Sequence, residues 1–260
     1  MRYDEISPIP PLTKTTKALI ISCSAIYFVD MVLSQLGFRP GGLTIDELFG
    51  LVPGLIVEQG WVWQFVTYLF LHGHPFHLLM NMAILWYFGA ELEMRMGVRR
   101  FCLFYFLCGI GAGIFNFAIN IAFFDAASLM TPIIGASGAI YGLLAAYGIF
   151  YADRIFLLLF LFPVKARYFV LIIAGVELTM GLQQGASRDN VAHFAHLGGM
   201  LVGAAYVWFT YLRPRGGSGS GGKRDWERER LKKKFTLIVN EGSEGAPAAE
   251  KEDGGPNYWN

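Results

Sequence analysis

One serine lies between two glycines in the segment "IIGASGAIYG", residues 133 to 142. A serine hydroxyl becomes a nucleophile when a neighbouring base takes its proton, and histidine is the residue that most often does so. His196 lies far along the chain in the segment "AHFAHLGGMLVG". Small residues around a serine also allow two membrane helices to pack closely. Ser137 alone therefore leaves packing and nucleophilic attack open.

Three segments of the chain each carry a pair of polar side chains at helical spacing. The pairs are His77 with Asn81, Ser137 with Tyr141, and His193 with His196. Residues three or four apart lie on the same face of a helix. Polar side chains inside membrane spans are costly, and they usually face the interior of the helix bundle, where they mark function. The three pairs therefore predict one polar site formed by three helices.

The composition indicates the elements that must position these residues. Hydrophobic residues make up 54% of the chain and charged residues only 16%, which is typical of a membrane protein. A bilayer core needs about 20 mostly apolar residues per helix. Six such stretches lie near residues 18 to 38, 75 to 95, 101 to 123, 135 to 151, 168 to 184 and 191 to 212. We predict an all-α polytopic membrane protein, a bundle of six transmembrane helices.

The positive charges orient this bundle. Of the 21 Lys and Arg residues, only Arg39 and Arg188 fall in the connections after the first, third and fifth helices. By the positive-inside rule both termini are cytoplasmic. The second, fourth and sixth helices then begin on the external side, so His77, Ser137 and His196 are expected at one depth, below the outer surface.

Glycines on two of these helices suggest how the polar pairs come together. The residues without side-chain bulk are Gly135, Gly138 and Gly142 on the fourth helix and Gly199 and Gly203 on the sixth. Such small-residue faces allow close approach of two backbones. We expect this contact to bring Ser137 and His196 within reach of each other.

The chain divides into three predicted regions. Residues 1–17 form a cytoplasmic N-terminal segment, residues 18–212 the six-helix domain, and residues 213–260 a cytoplasmic linker with a charged, largely disordered tail. Residues 39–74 form a long external connection. The apolar stretch 154–167 is short and contains Pro163, so it is predicted as a buried or interfacial cytoplasmic loop.

A metal site is the alternative use of the histidines. His72, His74 and His77 lie close together in "HGHPFH", but no carboxylate or cysteine is placed to complete a metal site and no H-E-x-x-H motif is present. No metal and no cofactor are therefore expected. Cys23, Cys102 and Cys108 fall within predicted spans and are expected to pack as small apolar residues.

Taken together, the motifs resemble those of the rhomboid intramembrane serine proteases of the bacterial type, over roughly residues 15 to 212. The matching motifs are H-x-x-x-N at His77 and Asn81, GxSG at Gly135 to Gly138, and A-H-x-x-G-x-x-x-G from Ala195 to Gly203. Glu93, Arg95 and Gly97 are similar to the E-x-R-x-G signature of the family.

The resemblance implies a role for each matched residue. Ser137 would be the nucleophile and His196 the general base, while His77, Asn81 and the Ser137 backbone N–H would stabilise the oxyanion. Tyr141 would pack against His196. The supporting glycines are Gly135, Gly138 and Gly199.

The expected function is that of an intramembrane serine endopeptidase with a Ser-His dyad. Its partners would be transmembrane protein substrates, cut near the external face, and the lipid bilayer; no nucleic acid is expected. The predicted location is a bacterial inner (cell) membrane.

One alternative is a non-proteolytic rhomboid-like factor that binds membrane proteins. The other, a channel or transporter, is disfavoured because no internal repeat is seen and the polar groups cluster at one depth.

Two features of the sequence depart from this pattern or stay unassigned. Trp63 and Gln64 lie where many rhomboids have a Trp-Arg pair, and glutamine lacks the charged fork of arginine. Glu177 is an isolated acid in the fifth helix; pairing with another helix is the default expectation, and a gating contact is the alternative. Asp153 and Asp189 fall outside the polar cluster, so Tyr141 is expected to orient His196 without a third acid.

Overall fold

A computed structural model of the chain describes residues 10–123, 125–158, 162–182 and 188–213. The helices are α1 (Lys14–Gln35), α2 (Ile45–Phe49), α3 (Pro53–Gln59), α4 (Gln64–Thr67), α5 (Pro75–Ile84), α6 (Ala90–Met96), α7 (Val98–Phe123), α8 (Ala126–Leu129), α9 (Ser137–Phe150), α10 (Ala166–Leu182) and α11 (Arg188–Val207). Short 3-10 turns lie at Pro40–Gly42 and Tyr68–Phe70, and π turns at Leu85–Gly89 and Trp208–Leu212. The strands are β1 (Ile155–Leu158) and β2 (Phe162–Lys165). Most of the N-terminal segment and the predicted tail after Arg213 lie outside the described residues.

Long helices lie where the apolar stretches predict them, with shifted ends. The π turn Leu85–Gly89 joins α5 to α6. By length and composition, α1 and α7 are each able to span a membrane, and α9 is a shorter apolar helix. Large apolar side chains on α1 and α10 are exposed, for example Val29 and Leu171. Such exposure suits helices that face lipid.

The buried Glu93 explains why α1 begins at Lys14, four residues before the predicted start. Its carboxylate accepts hydrogen bonds from Thr13 Oγ1 (2.5 Å), Thr15 N (2.9 Å) and Thr16 N (2.9 Å). The first amides of a helix have no partner within the helix, and a negative charge is favourable at this end. Glu93 therefore fixes the start of α1 against α6.

Arg95 and Gly97, the other two residues of the E-x-R-x-G signature, also have structural roles. The Arg95 guanidinium lies over the Phe150 ring, 4.3 Å from its centroid, at the end of α9. Gly97 has a φ of +81°, a conformation that favours glycine, and it links α6 to α7. The signature thus holds α1, α6, α7 and α9 together at one end of the bundle.

The helices α7, α9 and α11 pack against one another, with close backbone contact between α9 and α11. A methyl group on Gly199 would lie 1.9 Å from the Gly138 carbonyl oxygen, and one on Gly203 would lie 2.5 Å from that of Gly142. No side chain larger than a hydrogen atom fits at Gly199 or Gly203 without movement. The glycines therefore set the distance between these helices.

The connection 39–74 is built from short helices and anchored by the buried Gln64. Its Oε1 accepts from Val52 N (2.9 Å), and its Nε2 donates to the Glu47 carbonyl (2.9 Å). The Thr44 N–H and hydroxyl donate to the Glu47 carboxylate and lower the pKa of that carboxyl below its usual range. A neutral amide thus anchors the connection through backbone groups.

Residues 155–158 and 162–165 of the predicted loop pair as two antiparallel strands, which the sequence did not predict. The strands β1 and β2 pair from Ile155 opposite Lys165 to Leu158 opposite Phe162. Ile155 and Phe162 are exposed, so the stretch is not buried at these residues, and its interfacial placement stays a prediction. The stretch contains three Phe, one Ile and one Val, residue types that favour strands, beside four Leu.

Candidate active site

Ser137 is the first residue of α9, and the chain before it is held in place on both sides. Ile133 exchanges two backbone hydrogen bonds with Leu51, each 2.9 Å long. The Gly135 N–H donates to the Tyr68 carbonyl oxygen at 2.9 Å. These bonds fix the approach to α9 and so the position of the Ser137 side chain.

The structure brings Ser137 and His196 into hydrogen-bond contact. His196 Nε2 lies 2.8 Å from Ser137 Oγ. The Tyr141 ring stacks on the imidazole, with centroids 4.0 Å apart and planes 4° apart. Since Tyr141 lies one helical turn after Ser137, α9 supplies both the hydroxyl and the surface on which His196 rests.

Glu177 of α10 belongs to the same cluster, which the sequence analysis did not foresee. Glu177 Oε2 lies 2.9 Å from His196 Nδ1 and 2.5 Å from His193 Nδ1. The other oxygen, Oε1, accepts a hydrogen bond from the Tyr141 hydroxyl. The expected pairing of Glu177 with another helix is therefore found, and its partners lie on α9 and α11. The sequence did contain one signal for this pairing: His193 and His196 lie three residues apart on the helix that follows the one with Glu177.

Gly135 lies between the imidazole of His77 and the hydroxyl of Ser137. A methyl group at Gly135 would lie 2.9 Å from His77 Nε2 and 3.6 Å from Ser137 Oγ. Its φ of +128° is also a conformation that side chains disfavour. The expectation that Gly135 packs α9 against α11 is wrong, because Gly135 precedes α9 and faces α5. It instead keeps open the space between the two polar groups.

The Asn81 amide and the Ser137 N–H are two further groups that were predicted to stabilise the oxyanion. The buried Asn81 donates from Nδ2 to the His77 carbonyl oxygen at 3.0 Å; an amide nitrogen carries a second hydrogen. The N–H of Ser137 belongs to the first turn of α9, where amides have no partner within the helix and the helix dipole is positive. The oxyanion roles of His77, Asn81 and the Ser137 N–H stay predictions.

Three ligand atoms of the site lie close enough together to hold a cation. Those of Glu177, His193 and His196 are all within 4.8 Å of one another. They differ from the run His72, His74 and His77 that the sequence suggested as the alternative. Within the cluster, hydrogen bonds already join each imidazole to the carboxylate.

The fold and site define a class of helical membrane proteins with a serine and a histidine in contact between packed helices. The family model of the Rhomboid domain matches residues 59–213. The chain belongs to the rhomboid family, and it is an integral membrane protein as the members of that family are. The predictions of the family and of an all-α polytopic membrane fold are thereby confirmed.

Three relatives show the range of the similarity. The chain is 30% identical to RHOMBOID-like protein 1 of Arabidopsis thaliana over 68% of this chain and 42% of that protein. It is 31% identical to Rhomboid protease GluP of Bacillus subtilis over 71% and 33%. It is also 31% identical to the mitochondrial Rhomboid protein 1 of Saccharomyces cerevisiae over 54% and 39%. The chain spans less than half the length of each of these three relatives.

Proposed function

We propose that the protein is an intramembrane serine endopeptidase in which Ser137 is the nucleophile and His196 the general base and acid. The observation that carries this proposal is the 2.8 Å contact between His196 Nε2 and Ser137 Oγ. A nucleophile and its base within hydrogen-bond reach are the geometric signature of covalent catalysis. The name of one relative, Rhomboid protease GluP, describes that protein as a protease, which adds support.

In the proposed reaction, a proton moves between Ser137 and His196 in each step. Ser137 donates its proton to His196 Nε2 while Oγ bonds to the scissile carbonyl carbon, and the carbonyl oxygen becomes negative. The imidazolium then gives the proton to the leaving amine, the C–N bond breaks, and an ester remains on Ser137. Water hydrolyses this ester as His196 accepts its proton and returns it to Ser137 Oγ.

The negative oxygen needs donors that are in place before it forms. In this proposal His77, the Asn81 amide and the Ser137 N–H supply them, with the positive end of the α9 dipole behind Ser137. The Gly135 position supports this arrangement, because the space left by its missing side chain lies beside both His77 Nε2 and Ser137 Oγ.

The proposed substrates are transmembrane segments cut near the external membrane face. A transmembrane helix hides its carbonyl groups in hydrogen bonds, so it must unwind locally before Ser137 reaches one. Small or helix-breaking residues near the outer surface favour that unwinding. The cell membrane is the proposed location.

Cleavage of a single-pass substrate by purified protein in liposomes tests this function. The expected result is one defined cut with the wild type and its loss in both Ser137→Ala and His196→Ala. Ser34→Ala is the matched control, because Ser34 is an exposed serine on α1 and its hydroxyl donates only to Asp30 within that helix.

Two results would overturn the proposal. One is a wild type that binds the substrate but leaves it intact, which would favour a non-proteolytic rhomboid-like binding factor. The other is cleavage that persists at the wild-type rate in Ser137→Ala.

A further inference from the structure

Glu177 is an acid in α10, the predicted fifth membrane helix, and its side chain is buried with only 6% of the residue exposed. A carboxylate in such surroundings is costly unless hydrogen bonds and charges compensate it. Among the described residues, three side chains make polar contacts with it, namely Tyr141 on α9 and His193 and His196 on α11. These contacts account for its burial and connect it to the proposed catalytic residues.

The two ring nitrogens of His196 face different partners. Nδ1 lies 2.9 Å from Glu177 Oε2, and Nε2 lies 2.8 Å from Ser137 Oγ. A carboxylate only accepts hydrogen bonds, so the Nδ1 that faces it carries the proton. Nε2 of the neutral ring is then the free acceptor that Ser137 requires. The contact with Glu177 thus selects the tautomer that is able to act as a base.

The charge of Glu177 matters once the proton has moved. Transfer from Ser137 to Nε2 creates an imidazolium beside the carboxylate, in a buried site where charges interact more strongly than in water. The carboxylate therefore stabilises the state that forms during attack more than the state before it. Such a difference lowers the barrier and raises kcat.

We infer that Glu177 is a positioning residue of the proposed protease. It holds the Nδ1–H of His196 and stabilises the His196 imidazolium, and His193 and Tyr141 hold its carboxylate in place. The inference rests on the proposed function and replaces the expected dyad by a serine, histidine and glutamate in series.

Three variants of α10 separate charge from shape. Glu177→Gln keeps the shape and one acceptor oxygen but removes the charge and replaces the other oxygen by an NH2 donor. Glu177→Asp keeps the charge on a shorter side chain. Thr179→Ala is the control, because the Thr179 side chain is exposed and bonds to Gly175 O of its own helix.

We expect Glu177→Gln to lose roughly 100-fold or more in kcat, with KM and melting temperature unchanged, because loss of an orienting carboxylate costs about 10,000-fold in other serine hydrolases. Glu177→Asp should retain a higher kcat than Glu177→Gln, and Thr179→Ala should match the wild type. A purely structural role predicts the reverse, with glutamine tolerated better than aspartate. A Glu177→Gln protein within about threefold of the wild type, or one that is less stable and binds substrate more weakly, would overturn the inference.

The tautomer of His196 gives a readout that does not depend on activity. In protein with ¹⁵N-labelled histidine, nitrogen NMR distinguishes protonated from unprotonated ring nitrogens, and His196→Ala assigns the signal among the five histidines. We expect Nδ1 of His196 to carry the proton in the wild type. A neutral ring with its proton on Nε2 would overturn the inference even where the Glu177 variants fail to fold.

The same experiments distinguish failure of the inference from failure of the proposed function. If the wild type cleaves, Ser137→Ala does not, and Glu177→Gln is normal, only the role of Glu177 is rejected. Chelation with EDTA is expected to leave the rate unchanged. Loss of activity that a divalent cation restores would overturn the inference, since a cation would then take the place of the imidazole protons.

Discussion

At the scale of single residues, Asn81 gives a direct test of the proposed oxyanion donors. Removing one such donor typically costs about 100- to 1000-fold in kcat. We expect that loss in Asn81→Ala, with KM little changed, because the donor acts on the negative oxygen of the transition state rather than on bound substrate. Steady-state kinetics on a transmembrane substrate measure both constants. Met80→Ala, at the exposed neighbouring residue of α5, should keep the wild-type rate. An unchanged kcat in Asn81→Ala would remove this residue from the mechanism.

Ser137 and His196 could be paired from the sequence, whereas Glu177 could not, because only the first two lie in recognisable motifs. Ser137 and His196 each lie in a motif with glycines at helical spacing, so their pairing was predictable. Glu177 is a lone acid in an apolar helix, and which helix it faces depends on packing. Only the structure places its carboxylate against Nδ1 of His196.

At the scale of elements, the contact between α9 and α11 controls the distance between Ser137 and His196. Gly199→Ala would place a methyl group 1.9 Å from the Gly138 carbonyl and force the helices apart. Since a shift of about 1 Å at a reacting group is able to cost about 100-fold in rate, we expect at least that loss. Overpacking should also lower the free energy of unfolding by about 1–3 kcal/mol.

Gly175→Ala is the matched control for this prediction. A methyl group at Gly175 of α10 meets no atom within 4 Å, and alanine favours a helix over glycine by up to about 1 kcal/mol. We expect unchanged activity and equal or higher stability in an unfolding titration in mixed micelles. Equal behaviour of the two alanine variants would contradict the assignment of Gly199 to a close helix contact.

Gln64 gives a test of how the external connection is anchored. Gln64→Leu has a similar size but leaves the Val52 N–H and the Glu47 carbonyl without their partner. The unpaired groups should lower the free energy of unfolding by about 1–3 kcal/mol. Limited proteolysis should also cut residues 39–74 faster than in the wild type. Gln59→Leu, at an exposed glutamine of the same connection, should change neither quantity, and equal effects of the two variants would argue against an anchoring role.

The elements themselves were predictable to different degrees. The long helices were predictable from the length of the apolar stretches, because a helix must have about 20 mostly apolar residues to cross a bilayer, however it packs. The start of α1 was not predictable, since the carboxylate of Glu93, which is distant in sequence, fixes it. The pairing of β1 and β2 was also missed, because a short apolar run with a proline does not distinguish a strand from a loop.

At the scale of the whole molecule, the predicted orientation places both termini in the cytoplasm. In a background with Cys23, Cys102 and Cys108 replaced by alanine, a membrane-impermeant maleimide reports which side a new cysteine occupies. We expect Gln59→Cys to react in intact cells and Asp153→Cys only after permeabilisation, because the positive charges lie on the side of Asp153. The opposite pattern would reverse the orientation and place the proposed site near the cytoplasmic face.

The proposed mechanism requires that Ser137, activated by His196, forms a covalent bond with the substrate. Peptide mass spectrometry of the protein after reaction with a fluorophosphonate tests this requirement, because the reagent modifies an activated serine much faster than an ordinary hydroxyl group. We expect an adduct on Ser137 in the wild type and none at this residue in His196→Ala. An unmodified Ser137 in folded wild-type protein, or equal modification without His196, would contradict it.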